Sequence, residues 1–424
     1  MGREIIKSSR VNEEYIRIKH KSGLSVCLYP MKGFNSSYAL FGAKYGSVDT
    51  TFKTGDDSDY VTVPAGIAHY LEHKLFENEG APAFDLFSKT GANANAFTSF
   101  DKTAYLFSCS QKFDENLEIL LKFVQDPYFT DENVEKERGI IEQEIKMYND
   151  SPDWQVLFNG LSALYHNNPV KIDIAGTIQS IAQINKELLY KCYNTFYNLN
   201  NMTLCIAGNI DVDKTLEICD KTLKFSEDKG LLSSHVHEPY EIREKEISVK
   251  MSCSIPLFTI MFKLFVKESE SLENNIFYSI LFEIIFGVSG DFYNTHYKSG
   301  LINDAFSAGV FNGRGFFAGV VQGESSTPEA VYEKVKETLC RAKEKGISEQ
   351  SFLNIKKKVY GKQLMMFGSV EAVATAMLEA QFSERILYDT IEITARTTLN
   401  DINNALSKLD IENSVISMVK PVDS

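Results

Sequence analysis

His69-Tyr70-Leu71-Glu72-His73 sets two imidazoles four residues apart, with a carboxylate beside the second. On a helix, residues i and i+4 stand one turn apart on the same face, so both rings can reach one cation. Imidazole is a ligand for zinc, and a carboxylate that flanks the ion without binding it can take a proton from a water held there. The chemistry this pentapeptide points to is metal-assisted hydrolysis.

A hydrolytic zinc site takes at least one further protein ligand and keeps a position open for water. The best source is Glu137-Arg138-Gly139-Ile140-Ile141-Glu142-Gln143-Glu144-Ile145. Glu137 and Glu144 are seven apart, hence on one helical face, in the apolar company of Gly139, Ile140, Ile141 and Ile145. Glu144 is the expected third ligand. Its rival Glu142 points about 200° away from it on an ideal helix. Thr130 is the expected N-cap of this helix, with Asp131 and Glu132 favouring its first turn. Gly139 costs the helix about 1 kcal/mol relative to alanine, and close approach of a neighbouring helix would be a reason to keep it. His20, His166, His235 and His237 lack partners at ligand spacing.

The elements that must position these groups come next. Pro64 suits the first turn of a helix. Ile67, Leu71 and Leu75 then form one stripe, and His69, Glu72, His73 and Phe76 another, so the helix should be buried on two sides. Asn95-Ala96-Phe97-Thr98-Ser99 opens a strand-like stretch ending YLFSCS; about 210 residues later Asn303-Asp304-Ala305-Phe306-Ser307 opens one ending FFAGVVQG. Each stretch is followed by two amphipathic helices. A repeat of this length implies duplicated domains: residues 1–228 holding the metal, a polar linker at 229–245, and a homologous domain at 246–424. The expected class is α+β, with two homologous domains of similar size, each a mainly antiparallel sheet with helices packed on it. The second half's counterpart of the histidine helix, NNIFYSILFEIIFG, has no histidine, so only the first half can hold this metal.

With 44 basic and 57 acidic side chains among 424 residues, the net charge is −13, which argues against nucleic acid as a partner and reads as solubility. Seven cysteines stand singly with no CxxC pair, which suits reduced, buried thiols in the cytoplasm. The first residues, MGREIIKSSRVNEEYIRIKH, have no apolar core of signal-peptide length, and Ile6 stands where myristoylation wants Ser or Thr. The greasiest run, SCSIPLFTIMFKLFV, is interrupted by Lys263 and too short to span a bilayer, so no membrane association is expected.

HYLEHKLF, GANANAFTSFDKTAYLF, ERGIIEQEIKMYND and HNNPVKIDIAGTIQSI together resemble the inverted-motif zinc peptidases of the pitrilysin/insulinase family, which includes mitochondrial processing peptidase. The likeness runs along essentially the whole chain. It looks closest to the short bacterial cytoplasmic members, whose chain equals one half of the large single-chain peptidases. The resemblance implies His69, His73 and Glu144 as zinc ligands, Glu72 as general base and Glu137 as a supporting carboxylate. It implies Asn95, Ala96 and Phe97 as an edge segment that holds an extended peptide. From pattern alone, an ordinary core hairpin and a peptide-accepting edge fit this segment equally. The family's second half typically supplies an Arg and, seven residues on, a Tyr; here those positions hold His296 and Asn303. The resemblance thus implies a zinc-dependent endopeptidase for short or unfolded peptides. The chain would be the metal-bearing half of a chamber closed by a homologous subunit that supplies Arg and Tyr, or by a second copy of itself. The alternative is a metal-binding, non-catalytic partner subunit of a peptidase-like or peptide-maturation complex.

Overall fold

Strands form where apolar and β-branched residues run together, and a computed structural model, which describes residues 2–234 and 236–422, sorts them into three sheets. His235 lies outside the described residues. In the first half the strands are β1 (Arg3–Ser8), β2 (Glu13–Lys19), β3 (Ser25–Pro30), β4 (Ser37–Ala43), β5 (Thr51–Lys53), β6 (Val61–Thr62), β7 (Asn93–Thr98), β8 (Thr103–Cys109), β9 (Met202–Gly208) and β10 (Leu232–Ser233). The second half contributes β11 (Glu246–Met251), β12 (Leu257–Lys263), β13 (Ser307–Gly313), β14 (Phe316–Glu324) and β15 (Ser414–Pro421).

The large sheet runs β1-β2-β3-β9-β4-β8-β7, antiparallel except for β3 beside β9. The second runs β11-β15-β12-β14-β13, antiparallel except for β11 beside β15. Without the added β1 and β2, the two sheets have the same wiring: first, fifth, second, fourth, third, with the one parallel pair in the same place. The class is α+β, with the duplication visible in the strand order. The pentapeptide echo, however, is offset. Phe97 lies within β7 opposite Ala104, whereas Phe306 precedes β13, whose first residue Ser307 faces Gln322. The hairpins correspond, but the short motifs within them do not.

The chain divides into two compact units: Met1–Ile145, Asp173–Ser234 and Leu364–Asp389 in one, Lys146–Ile172, His235–Gln363 and Thr390–Ser424 in the other. Each half of the sequence therefore lends a helix to the other unit. In the first unit the helix Val370–Phe382 covers β4 and β9, and Val373, Met377 and Leu378 join Tyr15, Tyr29, Leu40 and Cys205 in its core. Gly42 permits that approach, because a Cβ there would stand 2.8 Å from Leu378 Cδ1. In the second unit the helix Pro152–Leu164 lies on β12 and β15 in the same manner. The chain's one helical stretch long and apolar enough to cross a membrane among the described residues, Glu268–Lys298, breaks at Gly287–Gly290. It buries Ile276, Ile280, Phe282 and Phe286 in the second unit's core.

One buried ion pair anchors that second unit. Lys263, the charge that interrupted the greasy run, ends β12 with its side chain 1% exposed. Its Nζ donates to Glu238 Oε1 at 2.6 Å, and the same carboxylate accepts the main-chain N–H groups of His166, Asn167 and Asn168, each at 2.8 Å. Burial alone would push the Glu238 carboxyl up, but the ammonium and the three N–H donors outweigh it and hold it below the usual range. A carboxylate lowered in the folded state adds stability that is complete above its unfolded pKa and is lost as pH falls through the folded value. Glu238→Ala should cost about 3–5 kcal/mol at neutral pH, since it strands a buried ammonium. Urea unfolding should show the gap from wild type narrowing on acidification.

Candidate metal centre

The histidine helix α1 (Ile67–Leu75) starts later than Pro64 suggests. Pro64 sits in the preceding turn, and Gly66 takes the N-cap with φ 90°, a left-handed conformation open to glycine. A side chain there would also strike the Ala175 carbonyl, 2.4 Å from an ideal Cβ. Every residue of α1 except His73 is buried, as its two apolar stripes imply. The helices α2 (Ala83–Thr90) and α3 (Phe113–Val124) follow it, and Phe76, just past α1, stacks on Phe84 and Phe123 from them.

The second carrier is α4 (Asp131–Asn149). Thr130 caps it reciprocally with Asn133: the Asn133 N–H donates to Thr130 Oγ1 at 3.1 Å and the Thr130 N–H to Asn133 Oδ1 at 2.9 Å. Its inner face buries Val134, Glu137, Ile141 and Ile145. Gly139 is on the outer face with nothing near an added Cβ, and Ile140 is 49% exposed, so neither helix approach nor apolar surroundings account for that glycine.

Two tethers set α4 against α1. The Tyr70 hydroxyl donates to the Val134 carbonyl, and Lys74, wholly buried, donates from Nζ to the Asn133 carbonyl at 3.1 Å and to Glu77 at 2.6 Å. Tyr70 and Lys74 are one turn apart on α1, so they grip consecutive carbonyls and fix the register of the two helices.

That register brings three side chains together. His69 Nε2 stands 3.7 Å from Glu144 Oε1, and His73 Nε2 stands 3.6 Å from Glu144 Oε2. These are too long for hydrogen bonds. Ligand atoms about 2.0–2.1 Å from a tetrahedral cation are roughly 3.4 Å from one another, so the spacing suits a shared ion. His69 Nδ1 is buried with no hydrogen-bond partner, which leaves Nε2 as the ring's route to a polar partner. His73 Nδ1 faces Glu137 Oε1 at 2.9 Å. An ionised carboxylate only accepts, so the Nδ1 proton is held there and the Nε2 lone pair turns toward the cluster. The residues present fit a divalent cation, and among the described residues His69, His73 and Glu144 are the only such group; Glu142 is not part of it.

The electrostatics agree with that arrangement. Burial, reinforced by the charge of His73, pushes the His69 imidazole down to about 4, so it is neutral and able to ligate near pH 7. For His73, burial alone would lower the value, but the bond to Glu137 and the charges of Glu72, Glu137 and Glu144 raise it. Glu137 is lowered in return: its burial is outweighed by the bond to His73 and by the charge of that ring. Glu72 is 9% exposed and stays out of the ligand group. Burial raises its carboxyl, partly offset by a hydrogen bond from Thr98 Oγ1 to Oε2 at 2.7 Å.

Asn95, Ala96 and Phe97 lie on β7, the last strand of the large sheet. Asn95 is exposed and the other two are half-buried, with Phe97 packed on the first unit's core. The Ala96 N–H is capped by its neighbour's Asn95 Oδ1 at 2.9 Å. His296, on the helix Asp291–Lys298, sits edge-on to Phe292 with ring centroids 4.6 Å apart, and Asn303 Nδ2 donates to Glu324 Oε2 at 2.7 Å. Sequence reasoning overlooked Tyr70, Lys74 and Thr98. Tyr70 and Lys74, a polar pair at i and i+4 on a largely buried helix, carry a local signal, whereas the role of Thr98 depends on how β7 lies beside α1.

Fold and site together define a duplicated α+β protein whose first half brings two histidines and one carboxylate to spacings that fit a shared cation. The family description "Insulinase (Peptidase family M16)" matches residues 49–178, and "Peptidase M16 inactive domain" matches residues 183–359. The chain is 39% identical over 409 residues to the uncharacterized zinc protease YmfH of Bacillus subtilis, covering 95% of each. It superposes on a putative M16-like peptidase from Alicyclobacillus acidocaldarius with a TM-score of 0.92 and 33% identity, covering 100% of this chain and 99% of that one. On pitrilysin the TM-score is 0.77 at 18% identity, covering 100% of this chain and 47% of that one. The chain belongs to peptidase family M16, the pitrilysin/insulinase family.

Purified wild-type chain should bind one divalent transition-metal ion, measured by titration calorimetry and elemental analysis. Glu144→Ala should abolish that binding, whereas Glu142→Ala should leave it intact. Equal loss in both variants would remove the distinction between the two faces of α4.

Proposed function

We propose that the chain is the metal-bearing half of a zinc-dependent endopeptidase acting on short or unfolded peptides. The observation that carries this is the convergence of His69 Nε2, His73 Nε2 and Glu144 beside a carboxylate that does not join them. Its relative YmfH is named a zinc protease as well. When bound, zinc supplies a Lewis acid for the scissile carbonyl and lowers the pKa of a neighbouring water.

The chain's own residues do the rest. His69, His73 and Glu144 hold the ion, and Glu137 keeps the His73 ring turned by retaining the proton on Nδ1. Glu72 takes the proton from the attacking water and returns it to the leaving amine. Its raised carboxyl pKa favours the first transfer, because it makes the carboxylate the stronger base. The free edge of β7 at Asn95, Ala96 and Phe97 lays the peptide main chain alongside as an added strand.

A second subunit completes the enzyme in this reading. The chain matches only 47% of pitrilysin, and Asn303 is committed to Glu324 where a transition-state tyrosine is expected. A homologous subunit bearing Arg and Tyr is the first candidate, and a second copy of this chain the other. Closure around the site would admit short or unfolded peptides. All seven cysteines are free thiols, which favours the cytoplasm as the place of action. The same His296 and Asn303 favour one competing reading, a subunit that binds metal and peptide without cleaving.

Glu72→Gln should retain one zinc per chain while turnover of quenched fluorescent peptides falls at least about 10²–10⁴-fold. Near wild-type turnover would remove Glu72 as the base. Mixing the chain with a homologue that lacks HxxEH but carries Arg and Tyr should give cleavage that neither shows alone. An inert mixture that still binds peptide would favour the competing reading.

A further inference from the structure

Building on the peptidase reading, we propose that Thr98 is a positioning residue for the base: its hydroxyl fixes Oε2 of Glu72 as an acceptor and leaves Oε1 to carry the catalytic proton. The case rests on counting protons. Thr98 Oγ1 stands 2.7 Å from Glu72 Oε2 and 3.3 Å from Thr103 Oγ1, and Thr103 Oγ1 donates to the Tyr45 carbonyl at 2.9 Å. Each hydroxyl has one proton to give. That of Thr103 goes to Tyr45, so it cannot serve Thr98. Thr103 can only accept in that pair, at the longer distance, and the Thr98 proton goes to the carboxylate. Oε2 thereby has a fixed hydroxyl donor, and turning the carboxyl plane would break that bond.

The strand provides the geometry. In the antiparallel register Thr98 faces Thr103, Ala96 faces Tyr105 and Ala94 faces Phe107, so Ala94, Ala96 and Thr98 share one face of β7. Tyr105 packs against Phe76 at the end of α1, which identifies this as the face toward the histidine helix. The two alanines are small, and Thr98 is the residue on this side of β7 with a hydroxyl. Phe97 points the other way, into the first unit's core. The peptide bed proposed at Asn95–Phe97 and the donor that aims the base are thus neighbours on one strand. A peptide seated on β7 lies along the strand whose Thr98 holds the Glu72 carboxylate, which ties the position of the scissile bond to that of the base.

The test uses the full-length, zinc-loaded chain mixed with its homologous subunit, quenched fluorescent peptides, and crystal structures of the wild type and of Thr98→Val. Thr98→Val should keep one zinc per chain and lower kcat about ten- to hundredfold with KM nearly unchanged. Thr98→Ser should restore most of the rate. In a Glu72→Gln background Thr98→Val should cause no further loss, because it acts through that carboxylate. In the Thr98→Val crystal structure the Glu72 carboxyl should be rotated or split between two orientations. A Glu72 side chain unmoved in that structure overturns the proposal, as does an unchanged kcat, a loss confined to KM, or an equal loss in both backgrounds. If the wild-type mixture cleaves no peptide, the peptidase reading fails, and the orientation of Glu72 in the crystal structures alone decides the role of Thr98.

Discussion

The docking of α1 against α4 is the constraint on which the centre depends. Two histidines on one helix cannot choose a third ligand from another unless the register between them is fixed. Tyr70 and Lys74 fix it by holding consecutive carbonyls in the first turn of α4. Glu137 and Glu144 then fall one and three turns further along, one behind His73 and one in front of both rings. A slip of one residue would rotate Glu144 by about 100°, out of reach. Lys74 is therefore buried for geometry, and the cost of burying its charge is offset by Glu77 and the Asn133 carbonyl.

The sequence made the centre legible because its information is local. Spacings of four and seven on a helix translate directly into a shared face, so the pairing of His69 with His73, and of Glu137 with Glu144 apart from Glu142, could be read locally, whereas which face of α4 meets the histidines depends on the register between the helices. The Thr130 cap was legible for the same reason. What depended on distant partners was not. The N-cap of α1 is Gly66, whose left-handed φ and closeness to the Ala175 carbonyl, more than a hundred positions away, leave no room for a side chain. The reason offered for Gly139 did not hold, since nothing approaches it. Thr98 belongs to the NAFTS segment, but its bond to Glu72 depends on how β7 lies beside α1, which periodicity does not encode.

The duplication was also legible, yet at a coarser grain than the motifs suggested. Strand order and the placement of the parallel pair are shared by both sheets, while the NAFTS and NDAFS pentapeptides sit at different points of their hairpins. The strand order rests on many main-chain pairings at once, whereas the five-residue motifs fix no pairing by themselves. The two halves then differ where chemistry is concerned. The helix facing β13 buries Ile276, Ile280 and Phe282 in an apolar core, whereas α1 carries two histidines. Its counterpart α1 gives up part of that area to titratable groups.

The exchanged helices have a consequence for biosynthesis. As the chain leaves the ribosome, all strands of the large sheet are complete once Gly208 has emerged. One apolar face of that sheet, with Tyr29, Leu40 and Cys205, nonetheless stays bare until Val370–Phe382 has been made. The nascent protein must carry an uncovered greasy surface through the translation of most of its second half, an interval in which a holding chaperone has something definite to hold.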